Sequence, residues 1–187
     1  MKSNIKALNN SELLARLEQS VTQHLEKAIS IFQNCNYDQL MAPSAQMGWS
    51  IAQCLEHLNT YSAFYLPKIS DSIKQQPVCT NEEFVSGWLG RYFVAMIDPD
   101  KSAKKYKAAK QHAPISNLDP HKVVSIFIDH QEELLNLLQQ CYFADLNRIR
   151  IQTSISSLVS LKLGDILQFL IVHDERHIRQ AMRNLSL

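Results

Sequence analysis

Two histidines four residues apart near the end of the sequence could bind a metal ion. His173 and His177 lie in a segment whose apolar residues recur at three- and four-residue steps, as in an amphipathic helix. Residues i and i+4 of a helix lie one above the other, so both imidazoles point the same way. Ile166, Phe169 and Leu170 lie on that same side, which is therefore the core face. The pair alone fits either a metal site or ordinary core and capping histidines.

A third histidine with similar surroundings lies in another helical pattern. His57 is on the flank of an apolar stripe, and Gln53 and Tyr61 lie one helical turn on either side of it. The Glu that follows the first His in zinc proteases is replaced here by Asp174, so that motif is excluded. Three inward imidazoles from two helices would instead form a triad that leaves coordination positions open, as catalytic metal sites do.

Such a triad would leave the full double charge on a divalent ion, because imidazoles are neutral ligands. Zinc held in this way brings the pKa of a bound water to about 7, and it keeps a bound thiol as the reactive thiolate. Hydrolysis and thiol transfer would therefore share one site, and neither needs a nucleophile from the protein. Cys54 precedes His57 by one turn, but it falls on the apolar stripe and is predicted to pack in the core. The sequence assigns no residue a catalytic role.

The remaining histidines are predicted to lie outside the site. His24, His112 and His121 stand among polar residues and are interpreted as surface side chains. His130 lies on the apolar side of its helical pattern, where we expect a core or rim histidine with a hydrogen-bond partner rather than a fourth ligand.

Charged and aromatic residues next to the three histidines are given structural roles. Glu56, Asp174 and Glu175 are interpreted as charges on solvated helix faces, although one of them could accept a hydrogen bond from a ligand imidazole. Trp49 is expected to anchor one end of a bundle rather than to serve as a platform for a substrate.

Four long helical patterns must position these residues. They cover about residues 10–37, 50–73, 119–142 and 162–184, with a polar linker over 147–160 before the last one. Ser50 and Gln53 predict a capping box, and Asp119-Pro120 predicts a helix start. Pro67 predicts a kink or an end in the second pattern.

The least regular part of the chain is the segment of residues 76–118. A short helix is predicted within residues 81–97, and its Trp88, Tyr92 and Phe93 could supply the apolar contact of a homodimer. A lysine-rich run follows and predicts a solvated loop, with an anion-attracting edge of the site as the alternative. The lysines of this run are Lys101, Lys104, Lys105, Lys107 and Lys110.

The bulk composition limits the function classes. The 187 residues include 4 Gly and 6 Pro, which disfavours a turn-rich β fold and favours one all-α domain over residues 1–187. The formal net charge is +1 and no helix-turn-helix pattern is found, so neither nucleic acid nor membrane is a predicted partner. The cysteines form no C-x-x-C motif, and no signal peptide or bilayer-spanning run is found, so a cytoplasmic protein with free thiols is expected.

Two motifs together resemble those of the DinB-like superfamily. Trp49-Ser50-x-x-x-Cys54-Leu-x-His57-Leu is similar to its second-helix signature. Its final-helix signature is similar to Leu163-Gly-Asp165-x-Leu-x-Phe-x-x-x-His173-x-x-x-His177-x-x-Gln180. The resemblance is closest to the DinB_2-type branch and covers about residues 10–184.

The resemblance implies a fold, a metal and a range of activities. The fold is a four-helix bundle with up-down-down-up connectivity, in which residues 76–118 form a crossover between the second and third helices. His57, His173 and His177 would bind one divalent ion, often nickel or zinc. Related proteins include metal-dependent hydrolases and S-transferases that use bacillithiol, mycothiol or glutathione. The implied partners are therefore a small-molecule substrate and a low-molecular-weight thiol.

Three classes of protein remain open on the sequence. The first is a metal-dependent hydrolase or thiol S-transferase, and the second is a bundle that binds a metal or a small molecule without turnover. In the third, the histidines form only a polar network in the core. The first two predict metal in the purified protein, and the first alone requires open coordination positions beside a cavity.

Overall fold

A computed structural model describes residues 7–44, 48–79, 81–102, 104 and 106–185 of the chain. Within these ranges, four helices of 20 to 24 residues account for most of the structure. They are α1 (Asn10–Ser30), α3 (Ile51–Lys74), α5 (Pro120–Cys141) and α6 (Leu163–Met182). Shorter elements are α2 (Tyr37–Met41), α4 (Trp88–Ile97) and the 3₁₀ turns Phe32–Asn34 and Lys110–His112.

The predicted helix starts are confirmed. The Ser50 hydroxyl accepts a hydrogen bond from the Gln53 N–H at 3.2 Å, and the Gln53 side chain accepts one from the Ser50 N–H at 3.1 Å, which completes the capping box of α3. Asp119 caps α5, whose first residue is Pro120. Pro67 does not end α3, which continues to Lys74.

The long helices pack as a bundle in which α1 and α3 each contact both α5 and α6. The buried side chains form two apolar clusters, one towards each end of the bundle. One cluster contains residues from the N-terminal halves of α1 and α6 and from the C-terminal halves of α3 and α5. The other contains the end of α6, the starts of α3 and α5, Ala28 near the end of α1 and Phe32 in the 3₁₀ turn that follows. The boundary between the clusters falls near His57 in α3 and between Ile171 and Ile178 in α6.

Short strands occur where the sequence predicted none. Strands β1 (Leu8–Asn9) and β2 (Glu83–Phe84) pair antiparallel, as do β3 (Arg150–Gln152) and β4 (Ser160–Lys162). The predicted polar linker over residues 147–160 is thus largely a hairpin. Ile151 and its partner Leu161 are buried on one face of that hairpin while Arg150 and Gln152 are exposed, which is the alternation of a half-buried strand.

Helix α4 is the short helix predicted in the irregular segment, and Asp165 at the start of α6 fixes its position. The Gly87 N–H donates to the Asp165 carboxylate at 2.9 Å, and the Ser86 hydroxyl donates to the same group. A Cβ atom on Gly90 would lie 2.2 Å from the Asp165 Cγ atom, so the close approach of the two helices requires glycine there.

The outer face of α4 and the lysine-rich run are both exposed. Trp88 is 74% and Tyr92 is 58% exposed, as an apolar contact with another chain would require. Four lysines of the run are exposed, as predicted for a solvated loop, and Lys105 lies outside the described residues. No helix among the described residues is both long and apolar enough to cross a membrane.

Candidate metal centre

The structure brings His57, His173 and His177 together. The Nε2 atoms of His57 and His173 are 3.2 Å apart, and the ring centroid of His177 lies 4.6 Å from that of His57 and 4.8 Å from that of His173. One ligand nitrogen from each ring lies within 4.8 Å of the other two. The predicted i, i+4 pair on α6 therefore faces the predicted third histidine on α3.

Burial keeps these rings uncharged. His57 and His173 are 3% and 6% exposed, and His177 is partly buried. Burial lowers the pKa of His57 to about 4 and that of His177 to about 3, and it lowers the pKa of His173 well below the usual value. All three side chains are neutral at pH 7 and offer lone pairs, as ligand histidines must.

The hydrogen bonds of two rings leave their Nε2 atoms without a proton. The Nδ1 atom of His57 donates to the backbone carbonyl of His112 at 2.6 Å, because a carbonyl can only accept. The Nδ1 atom of His177 donates in the same way to the Gln180 side-chain oxygen at 3.1 Å. A neutral imidazole carries one proton, so the Nε2 atoms of both rings are acceptors.

These donor atoms fit one divalent cation. The bare Nε2 atom of His57 faces a ring nitrogen of His173, whose own Nδ1 atom has no hydrogen-bond partner among the described residues. Two nitrogens that each lie about 2.1 Å from one ion are about 3.0–3.4 Å apart at octahedral to tetrahedral angles. The 3.2 Å separation of the His57 and His173 nitrogens falls in that range. His177 would have to approach by roughly an ångström to complete the set.

Aromatic rings enclose the three histidines. The Trp49 ring lies 4.9 Å from that of His57 and 5.7 Å from that of His177. Tyr61 packs edge-on to His57 and His173 at 5.1 and 4.6 Å, and Phe169 stacks on His173 at 5.6 Å. Trp49 therefore anchors the ligand rings, and the walls around the site are largely apolar.

Two histidines interpreted as surface residues are in fact buried, so that prediction was wrong. His112 is 3% exposed, because the segment before α5 returns to α3 at the Lys110–His112 turn and the ring stacks on Tyr61 at 3.8 Å. His24 is 1% exposed, and its Nε2 atom lies 3.0 Å from the Glu175 carboxylate. The spacing of His24 from Val21 and Ala28 in the buried stripe of α1 could have revealed its burial, whereas no local pattern marks His112. His121 is exposed as predicted.

Asp174 is not on a solvated face, so that prediction was also wrong. It is 3% exposed, and it accepts a hydrogen bond at 3.0 Å from the side chain of Gln131, which is on α5. Burial raises the pKa of this carboxyl to about 6. Glu56 and Glu175 are partly exposed. The described partners of the ligand rings are a carbonyl and an amide oxygen rather than one of these carboxylates.

His130 and Cys54 take the structural roles predicted for them. His130 is partly buried, and its ring nitrogen lies 3.4 Å from the Asn59 side-chain oxygen, outside the histidine cluster. Cys54 is fully buried, and burial raises the pKa of its thiol to about 12, so it is no nucleophile at neutral pH.

A comparison with known protein families assigns this chain to a family. Residues 20–181 match the family model of the DinB superfamily, and the chain therefore belongs to this superfamily. No curated protein sequence matches the chain.

A solved structure has a similar fold. It is YfiT from Bacillus subtilis, described as a probable metal-dependent hydrolase with an unusual four-helix bundle topology. The two are 15% identical, with a TM-score of 0.52 over 95% of this chain and 86% of that one. At this identity the likeness shows a shared four-helix bundle fold and no more.

Proposed function

We propose that this chain is a metal-dependent enzyme in which His57, His173 and His177 hold one divalent ion, nickel or zinc. The enzyme acts on a small-molecule substrate as a hydrolase or as a thiol S-transferase. The observation that carries the proposal is the convergence of uncharged ring nitrogens from two helices, with the Nε2 atoms of His57 and His173 3.2 Å apart. YfiT, which shares the fold, is described as a probable metal-dependent hydrolase.

Such an ion is a Lewis acid that brings the pKa of a coordinated water towards about 7 or holds a thiol as thiolate. Residues of the chain orient the ligands of this ion and enclose it. The carbonyl of His112 orients His57, and the rings of Tyr61 and Phe169 exclude water from the buried side. Trp49 and His177 are both partly exposed, so a substrate would enter on their side. Neither reaction requires a protein nucleophile, which agrees with the raised pKa of Cys54.

We also propose the up-down-down-up order for the four long helices, with residues 76–118 as the crossover. Support comes from the two apolar clusters of the core. Helices α1 and α6 begin in one cluster and end in the other, while α3 and α5 run the opposite way. Two consecutive long helices that run in the same direction need a connection that crosses the length of the bundle.

The proposal is tested with protein purified without a histidine tag. Elemental analysis should find about one divalent ion per chain, and the cobalt-substituted protein should change its visible spectrum when azide or a small thiol is added. A new sulfur-to-cobalt band would favour thiol transfer, and a response to azide alone would favour hydrolysis. A cobalt spectrum indifferent to every added ligand would indicate a closed site and hence a non-catalytic metal-binding bundle. If no metal is found, the three histidines would form only a polar network in the core.

A further inference from the structure

His112 contacts the helix of His57 in two different ways. Its backbone carbonyl accepts the hydrogen bond from the His57 Nδ1 atom at 2.6 Å. Its own Nδ1 atom lies 3.0 Å from the Thr60 hydroxyl oxygen, one turn further along α3. Main chain and side chain of one crossover residue are thus both fixed on the segment that carries a proposed metal ligand.

The direction of each hydrogen bond in this group follows from its neighbours. The Thr60 hydroxyl lies 2.7 Å from the backbone carbonyl of His57 and donates its only proton to it. That hydroxyl must then accept from His112, so the proton of the His112 ring is on Nδ1. The bonds form a closed circuit, from His112 through Thr60 to the His57 carbonyl and from the His57 ring back to the His112 carbonyl.

Packing holds the His112 ring in this position. The ring stacks on Tyr61 with 3.8 Å between centroids and 26° between planes. The preceding residue, Gln111, donates from its side chain to the Ser154 carbonyl in the loop of the hairpin. The Nε2 atom of His112 is buried without a hydrogen-bond partner among the described residues, so Thr60 is the polar contact that orients this side chain.

We propose that Thr60 and His112 are positioning residues for His57. The His112 carbonyl keeps the proton of His57 on Nδ1 and aims its Nε2 atom at the metal position, and the hydrogen bond between Thr60 and the His112 ring holds that carbonyl in place. This inference rests on the proposed metal centre and adds to it the residues that set its affinity. Loss of the partner that orients a metal-bound histidine weakens metal affinity by about 10–100-fold.

Two pairs of variants separate orientation from general packing. Thr60→Val removes the hydroxyl at nearly constant shape, and Thr60→Ser retains it. His112→Phe retains a ring over Tyr61 and loses the N–H donor, while His112→Asn retains a donor. For each full-length variant, the zinc dissociation constant is measured by competition with a chelator, and unfolding of the metal-free protein by urea is measured separately. Long-range ¹H–¹⁵N spectra of the metal-free protein report which nitrogen of His57 carries the proton.

We expect the zinc dissociation constant to rise about tenfold or more in Thr60→Val and His112→Phe. It should stay within about twofold of the wild type in Thr60→Ser and rise less in His112→Asn than in His112→Phe. The wild-type spectrum should show His57 protonated on Nδ1, and Thr60→Val should show a mixture.

Several results would overturn the inference. They are an Nε2-protonated His57 in the wild type, equal zinc affinity in the wild type and Thr60→Val, and equal weakening in Thr60→Ser and Thr60→Val. If the wild-type chain binds no zinc at all, the proposed metal centre fails and this inference fails with it. Zinc binding by the wild type with no change in the variants defeats the inference alone.

Discussion

Helix α6 carries buried polar groups on two sides, and the two sides differ in what those groups meet. On the side towards α3, His173 meets His57 with 3.2 Å between Nε2 atoms, and the nitrogen of His57 is a bare acceptor. On the side towards α1, the Nε2 atom of His24 meets the Glu175 carboxylate at 3.0 Å, so a donor faces an acceptor.

Burial alone therefore does not distinguish a metal ligand from a structural histidine. His24 is 1% exposed, less than His57 at 3%, yet its ring has a carboxylate beside it. Lys27 and Arg179 also contact that carboxylate, at 3.7 and 2.5 Å. Ring nitrogens that converge, with a carbonyl and an amide oxygen rather than a carboxylate as their described partners, can hold a cation, whereas a histidine beside a carboxylate is already paired.

Removal of the converging rings should have the largest effect. The double variant His173→Ala/His177→Ala loses two of three ligands, so we expect its zinc affinity to fall by at least about a thousandfold. The stabilisation that saturating zinc gives the wild type, about 4 kcal/mol at a thousand times the dissociation constant, should vanish as well. Elemental analysis and calorimetric titration measure both effects.

Variants of histidines outside the converging group serve as controls for this loss. His24→Gln and His130→Ala should each retain about one zinc per chain, because neither residue belongs to the converging group. Stoichiometric zinc in the double variant, or loss of zinc in His24→Gln, would show that the two sides of α6 have been assigned the wrong roles.

As the pH falls, the groups on the two sides of α6 should lose their contributions to the unfolding free energy in different pH ranges. The pKa values of His57 and His177 in the folded chain are about 4 and 3, below the value of about 6.5 for an unfolded histidine. The unfolded state therefore takes up protons first, and the stability is complete above pH 6.5 and declines as the pH falls towards the folded values. The Asp174 carboxyl has a pKa raised to about 6, so its protonation stabilises the folded state as the pH falls. This single group offsets only part of the effect of the three histidines. Burial, rather than a partner, causes most of these shifts.

The metal-free protein, in chelator, should lose roughly 2 kcal/mol or more of unfolding free energy between pH 7 and pH 5. Glu175 acts in a different window, because its pKa of about 2 places its loss of stabilisation below about pH 4.5. Urea titrations at several pH values measure the slope, and the His173→Ala/His177→Ala variant should show a shallower one. A stability that is flat from pH 7 to pH 5 would contradict the assigned burial of the rings.

Periodicity explains why the three histidines could be predicted from the sequence. His173 and His177 are fixed on one face of α6 by helical geometry, and Phe169 and Leu170 mark that face as the core side. His57 follows from the same argument applied to α3. The four helices were predictable for the same reason, because an amphipathic stripe and a capping residue are both local features.

The features that were missed depend on contacts distant in sequence. The carbonyl of His112 reaches His57 across 55 residues of chain, and Gln131 reaches Asp174 across 43. Asp174 looks solvated in the sequence because charged residues stand next to it, but it is buried in the structure and bonded to a distant glutamine. The strand pair around Ile151 was missed because its apolar residues are too few to give a periodic signal.

The smallest effect should come from the paired side itself, through Glu175→Gln. The glutamine keeps the shape of the side chain and an acceptor for His24, but it removes the negative charge that Lys27 and Arg179 contact. The Glu175 side chain is 25% exposed, so solvent screens part of this interaction, and we expect a loss of only about 1–2 kcal/mol in unfolding free energy at pH 7. Zinc affinity should stay within about threefold of the wild type, because this carboxylate is on the side of α6 away from the three ligands. Glu132→Gln, an exposed position on α5, is the matched control and should leave both quantities unchanged. If Glu175→Gln instead weakens zinc binding tenfold at unchanged stability, the pair with His24 supports the metal site, and the separation of the two sides of α6 is wrong.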